Sequence, residues 1–299
     1  MRRAHGFGLV LVSAAAFGAM PIFARLAYAA GSDPISLLFF RFLIGALCMA
    51  ALVRIKGVPF PRGRALATLV LMGLIGYAGQ SLSYFTALTL IPAGMVAILL
   101  YLYPVLVMIL SVILFREPVS AGKLLALILA LSGTILVIGL QSGGSPAGIA
   151  WGLGAAMIYS LYIVAGATVM RGADPLSASA VIMAGAALSL ALISFAHGIH
   201  VPRTFSGWIW IACIAVFCTA MAISFFFGGM KVIGAVDASL VSTFEPMITV
   251  ILAFAFLEER IGWLQVAGML LILGAAALLA LQPVPIRKRA ARSETGIVG

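Results

Sequence analysis

The chain is divided into ten apolar runs of about twenty residues, near 6–29, 34–54, 65–88, 92–113, 120–140, 147–169, 176–198, 207–230, 234–256 and 261–281. At 1.5 Å per residue, twenty residues of helix match a hydrocarbon core of roughly 30 Å. Backbone polar groups have no water to bond to in lipid, so such runs must be helices that satisfy themselves. The fold class expected is therefore all-α integral membrane, with ten transmembrane helices. Composition agrees: 64% of the 299 residues are hydrophobic and 9% charged, far from soluble usage. The loops are too short for a soluble domain, and none carries a phosphate-cradling Gly-rich loop ending in Gly-Lys-Ser/Thr.

A net charge of +10 would point to nucleic acid in a soluble protein. Here its distribution over loops points to membrane orientation instead. With a cytoplasmic N-terminus, the inner segments hold 14 of the 18 Lys and Arg, among them Arg2, Arg3, Arg54, Arg116, Lys123 and Lys231. Both termini are expected in the cytoplasm. Trp151, Trp208, Trp210 and Trp263 fall in first turns of spans that begin on the outer side, as interfacial tryptophans do. Arg2-Arg3 and the following apolar run imitate a signal peptide, but the run is too long for one.

The chain repeats itself. Gly31-Ser32-Asp33-Pro34-Ile35-Ser36 lies over Gly172-Ala173-Asp174-Pro175-Leu176-Ser177, and Tyr103-Pro104 lies over Glu245-Pro246. This divides the chain into a five-helix repeat at 1–142, a second at 143–283 and a basic tail at 284–299. Five is odd, so the second copy enters the membrane from the opposite side and the repeats have inverted topology. Inverted repeats in secondary transporters place the substrate site near the midplane, where the halves meet.

Phe39-Phe40-Arg41-Phe42, Tyr84-Phe85-Thr86-Ala87-Leu88, the two proline sites, and Glu117 and Glu259 in matching loops carry a resemblance. Together they resemble the EamA repeats of the drug/metabolite transporter superfamily, and within it most closely the YddG-type aromatic amino-acid exporters. The resemblance implies an exporter or exchanger of small metabolites in a bacterial inner membrane, with spans five and ten as peripheral scaffold. It also places an arginine at Arg41 whatever the substrate charge, which favours a structural role there over pairing with a substrate carboxylate.

Helical phase selects candidate lining residues. Tyr77, Gln80 and Tyr84 share a stripe on span three, Tyr159 and Tyr162 lie one turn apart on span six, and Tyr101 precedes Pro104. Tyrosine suits either a cavity for an amphipathic solute or simple packing. Pro104 and Pro246 cannot donate to the carbonyls of Leu100 and Ser242, so kinks with open carbonyls are expected there, close to Ser239, Ser242 and Thr243. Glu245 sits halfway along span nine, where an ionised carboxylate is costly. Three roles stay open for it: a coupling proton site, a substrate-amine site, or a kink holder. Glu117 and Glu259 are expected to pair with neighbouring arginines or to cap helices.

A membrane enzyme would need clustered acids for metal and phosphate, or a nucleophile with its base. Only eight acids occur in the whole chain. His197 and His200 lack a third ligand nearby in sequence, so no metal and no cofactor is expected. The expected partners are a small-molecule substrate and the lipid bilayer, without nucleic acid; both repeats in one chain permit a monomer. The favoured reading is a secondary transporter in which one half rocks on the other. An aromatic or apolar amino acid is the preferred substrate, and amphipathic cations or an uncoupled channel are the alternatives.

Overall fold

The computed structural model describes residues 2–91, 93–139, 145–257 and 261–281. Ten helical spans cross it, at Arg3–Ala29, Pro34–Ile55, Gly63–Tyr84, Met95–Phe115, Ala121–Ile138, Pro146–Val169, Pro175–His197, Phe205–Ile233, Ala235–Phe256 and Trp263–Leu281. Successive spans alternate in direction, so Arg3, Lys123, Arg171 and Lys231 gather at one end of the bundle, called here the N-terminal face. Glu259, the linker at 140–144 and the tail at 284–299 lie outside the described residues.

The repeated Asp-Pro motif has a local physical role. Asp33 stands before the second span, and its carboxylate accepts from the backbone N–H of Ile35 at 3.0 Å and of Ser36 at 3.2 Å. Asp174 does the same for the seventh span, accepting from Leu176 N–H at 2.8 Å. In each case proline fills the first helical position, where its missing N–H costs nothing. One motif thus starts the second helix of each half, from opposite faces.

Spans four and nine are broken at matching points. The fourth runs as Ala93–Leu100, a turn, and Tyr103–Phe115, with Pro104 in the first turn of the new helix. The ninth runs as Ala235–Val241, a tight turn at Ser242–Phe244, and Glu245–Leu257, with Pro246 in its first turn. Here the structure corrects an expectation. The Ser242 carbonyl is not open, because the tight turn lets the Glu245 N–H reach it.

A second symmetric irregularity was not foreseen. Span three contains a π-helical turn at Met72–Tyr77 and span eight another at Val216–Met221. Each inserts an extra residue into the helical ladder, and such turns often mark functional sites.

The two halves interleave. The first span packs on the eighth and ninth, and the sixth packs on the third and fourth. The second lies against the seventh and the fifth against the tenth. Small residues permit the close crossings. A Cβ on Gly73 would fall on the Ile182 carbonyl of span seven, and Gly133 and Gly268 abut each other's carbonyls between spans five and ten. Rigid rocking of residues 1–142 on 143–283 would tear most of these contacts. The contacts group span one with eight and nine, and span six with three and four, so each set mixes the halves; span two packs most extensively on seven, and span four meets nine at a seam.

Candidate functional site

Near the middle of the bundle lies a cavity of about 560 Å³, within the range of roughly 300–1,000 Å³ usual for small-molecule sites. Its walls come from spans one, two, three, four, five, six and nine. Chain direction fixes which way it extends. Arg25 and Tyr28 end span one, Tyr84 lies late in span three and Ile138 ends span five, so the cavity reaches from mid-bundle toward the face opposite the N-terminus.

At the N-terminal end the space is filled. Phe227 is buried completely and Met230 nearly so, and a Cβ on Gly166 would meet Phe227 at 2.6 Å and Met230 at 3.4 Å. Gly229 abuts Val10 and the Gly6 carbonyl, which closes span eight onto span one. At the rim of this plug lies a charge cluster that sequence reasoning missed. Buried Asp237 pairs with Arg3 at 3.2 Å and with Lys123 at 2.5 Å. Arg3 also donates to the Leu279 carbonyl at 3.1 Å. One carboxylate therefore ties the ends of spans one, five, nine and ten together.

Of the residues expected along the path, Tyr77, Gln80, Tyr84, Tyr101, Tyr159 and Glu245 line the cavity. Ser239, Ser242, Thr243 and Tyr162 do not. Ser239 donates back to the Val236 carbonyl at 2.8 Å and Thr243 to the Leu240 carbonyl at 2.7 Å. Short hydroxyl side chains in a helix often satisfy themselves this way, and these are turned from the cavity and fully buried. Tyr162 stands behind Tyr77, ring to ring at 5.4 Å, and fills the plug. Glu117 is exposed and has no ion-pair partner among the described residues; the cap of the following helix is Ser120, which accepts from the Lys123 N–H.

Tyr103 was overlooked, although the repeat places it opposite Glu245. It lines the cavity floor, and its hydroxyl donates to the Ser239 carbonyl across the seam between spans four and nine at 3.2 Å. Ser160 in turn donates to the Tyr103 carbonyl at 3.2 Å.

Arg25, Arg41 and Glu245 are the ionisable side chains other than tyrosine that line the cavity. Glu245 accepts from the Tyr101 hydroxyl at 3.3 Å. Arg41 is 4% exposed and lines the wall. Its Nε donates to Thr219 Oγ1 at 2.6 Å and its Nη2 to the Tyr77 hydroxyl at 3.1 Å. The guanidinium also lies over the Phe42 ring at 4.8 Å, a contact that helps hold a desolvated cation. Both hydroxyls belong to the two π-helical turns, so those irregular turns aim their side chains at one cation near the seam. Among the described residues no carboxylate lies within ion-pair distance of Arg41 and no cation within ion-pair distance of Glu245.

Outside the spans, the fold moves the titration of Asp33. Partial burial raises its pKa, but hydrogen bonds from Ser36 and Ile35 and the charge of His200 outweigh that and hold it below the ordinary value. His200 Nδ1 lies 3.4 Å from Asp33 Oδ1, a neighbour that sequence distance concealed. No group of three metal-ligating side chains occurs among the described residues.

The EamA-like transporter family model matches the chain twice, over residues 5–139 and 146–281. An uncharacterized transporter of Bacillus subtilis (strain 168), YcbK, is 27% identical over 278 residues, which cover 89% of each chain. The aromatic amino acid exporter YddG of Ancylobacter novellus is 27% identical over 275 residues, covering 87% of this chain and 94% of that one. A solved crystal structure superposes with a TM-score of 0.79 at 21% identity, covering 93% of this chain and 97% of its own, which bears on the fold alone. Ten apolar spans built as two inverted five-helix repeats, with both copies matching one family model, place the chain in the EamA-like transporter family.

Proposed function

We propose that this transporter exports or exchanges aromatic or apolar amino acids by alternating access, with the central cavity exposed alternately to the two faces. The carrying observation is the chemistry of that cavity. Its wall is apolar and tyrosine-rich, with two guanidinium groups, Arg25 and Arg41, and one carboxyl group, Glu245. Tyrosine offers an aromatic face with a polar tip, which suits a small amphipathic solute that must also be released. A nucleotide sugar or sugar phosphate would call for more basic residues than Arg25 and Arg41. The 27% identity to an aromatic amino acid exporter supports the same substrate class.

The cavity reaches one face while aromatic packing fills the other end, as an alternating-access carrier requires of each end state. The excess of Lys and Arg on the N-terminal face supports a bacterial inner-membrane orientation with both termini in the cytoplasm, so the cavity faces outward here. The two repeats, 1–142 and 143–283, are the units of duplication, while the mixed sets of spans are the units that move.

The test is counterflow in proteoliposomes holding only this protein, screened across amino acids, amphipathic amines and sugar nucleotides. Saturable counterflow of phenylalanine, tryptophan or leucine, accelerated by the same solute on the opposite side, is the expected result. Flux without saturation or trans-stimulation indicates a channel, and counterflow confined to amines indicates a cation carrier.

A further inference from the structure

A second cavity, of about 320 Å³, lies apart from the central one, between spans two, three and seven. None of its lining residues carries a charge or a hydrogen-bonding side chain. Ala50, Ala184 and Leu188 on its walls are exposed, so the slot opens sideways from the bundle, where a membrane-spanning chain meets hydrocarbon. Chain direction fixes its depth. Ala46 and Ala50 lie in the second half of span two, Val70 and Leu74 between the start and the middle of span three, and the seventh span lines it from Ala180 to Leu188. All three stretches run from near the N-terminal face to about the middle of the bundle. At 1.5 Å per residue, Ala180 to Leu188 covers about 12 Å, close to one leaflet of a hydrocarbon core of roughly 30 Å.

The end of the slot at that face is basic. Phe60, in the loop between spans two and three, also lines the slot and brings that loop to it. Within six residues of Phe60 stand Arg54, Lys56, Arg62 and Arg64. All four are exposed, and none has an ion-pair partner among the described residues. The matching loop of the second half, between spans seven and eight, carries Arg203 alone of Lys and Arg, so the repeat itself does not demand the cluster.

We infer that slot and loop together form a site for an anionic phospholipid of the leaflet on the N-terminal face, with an acyl chain along spans two, three and seven and the headgroup phosphate among Arg54, Lys56, Arg62 and Arg64. Apolar wall and basic rim complement the two ends of such a lipid. A second copy of the chain suits this face less well. A two-fold interface sets a patch against itself, and this loop has no acidic residue to offset four cations meeting four. Leu74 on the slot wall belongs to the π-helical turn whose Tyr77 holds Arg41. Ser189 of span seven donates to the Leu74 carbonyl at 2.8 Å, so the seated acyl chain packs behind the turn that shapes the central cavity.

The test is native mass spectrometry of the full chain released from detergent, with phosphatidylglycerol or phosphatidylcholine of identical acyl chains added at equal concentration. Phosphatidylglycerol is expected to be retained at least about fivefold more, the effect of one basic residue on an anionic headgroup. Arg62→Gln combined with Arg64→Gln leaves most of the residues that set orientation and is expected to erase the preference. Ala184→Phe fills the slot and is expected to lose most of the bound phosphatidylglycerol although the loop charges remain. Arg116→Asn removes a charge from the same face between spans four and five, where asparagine tolerates the left-handed backbone (φ 52°), and should change nothing.

Equal retention of the two lipids by the wild type overturns the site. So does undiminished phosphatidylglycerol retention in either the double variant or Ala184→Phe, or an equal loss in Arg116→Asn, which would reduce the effect to surface charge. A wild-type dimer that Ala184→Phe dissociates overturns it in favour of a second copy. The test substitutions fall at exposed positions; should one variant fail to fold, the other decides beside the wild type.

Discussion

Tyr77 and Thr219, 142 positions apart, hold one guanidinium between them, the tyrosine hydroxyl at 3.1 Å from Arg41 Nη2 and the threonine hydroxyl at 2.6 Å from Arg41 Nε. They occupy equivalent places in the two repeats, and each sits in a π-helical turn. Duplication therefore built a two-sided clamp from a single ancestral position, and divergence made one jaw aromatic and the other a short hydroxyl.

Removing either jaw leaves a charged donor short of an acceptor. Thr219→Val keeps shape and is expected to destabilise the protein by about 1.5–3 kcal/mol, the usual worth of a hydrogen bond to a charged group. Tyr77→Phe is expected to cost a similar amount. Denaturant unfolding in detergent measures both, and an unchanged midpoint for both variants would show that Arg41 is held by something else.

The crossing of spans three and seven has no room for a side chain at Gly73, whose Cβ would strike the Ile182 carbonyl. Backbone cannot yield as a flexible side chain can. Gly73→Ala is expected to cost about 1–3 kcal/mol through overpacking. Gly154→Ala meets nothing within 4 Å and should be neutral or stabilising by up to about 1 kcal/mol through helix propensity. Thermal melting of the two variants side by side gives the comparison, and equal melting temperatures would contradict it.

Asp237 bonds both Arg3 and Lys123 from one carboxylate. Asp237→Asn removes the carboxylate that two partly buried cations share, and breaking such a buried arrangement costs about 3–5 kcal/mol. The loss should fall on the plugged state, so a cysteine placed at Met230 should react faster with a thiol reagent added from the N-terminal face. Labelling at the wild-type rate would show that the cluster does not hold that end closed.

Moving units that mix the halves predict an asymmetry in cross-linking. Ser13 of span one donates to the Ala222 carbonyl of span eight at 2.7 Å, inside one unit. A cross-link at that pair should leave counterflow within about twofold of the uncross-linked protein, since it joins parts that move together. A cross-link from Tyr103 to Ser239 bridges the seam between spans four and nine and should abolish it. Counterflow abolished by both cross-links would restore the sequence halves as the moving bodies, since each pair joins residues 1–142 to 143–283.

Acid should loosen the loop before the second span. The pKa of Asp33 is held below its ordinary value, so its contribution is fully present above the unfolded-state pKa near 4 and is lost as pH falls through the lower folded value. Between about pH 5 and pH 3 the melting temperature of the wild type should fall more steeply than that of Asp33→Asn, which can still cap the helix. Parallel pH profiles would remove Asp33 from the acid response.

The number of spans, their alternation, the inverted repeat and the sites of the two helix breaks were legible because each depends on local facts. Apolar length sets a span, an Asp-Pro pair starts a helix, and an internal proline interrupts one. Asp33 and Asp174 cap equivalent helices from opposite faces for that reason. Which polar side chain meets the cavity was not local. Helical phase places Tyr159 and Tyr162 on one stripe, but packing turns the first into the cavity and the second into the plug. Ser239 and Thr243 had free hydroxyls on paper and spend them on carbonyls three residues back. Arg41 met its partners, and Asp237 its two cations, only through contacts between spans far apart in the chain. Sequence periodicity says which residues share a side of a helix; the neighbour that side receives is decided when the inverted halves interleave, because only then are lipid, protein and cavity distinguished.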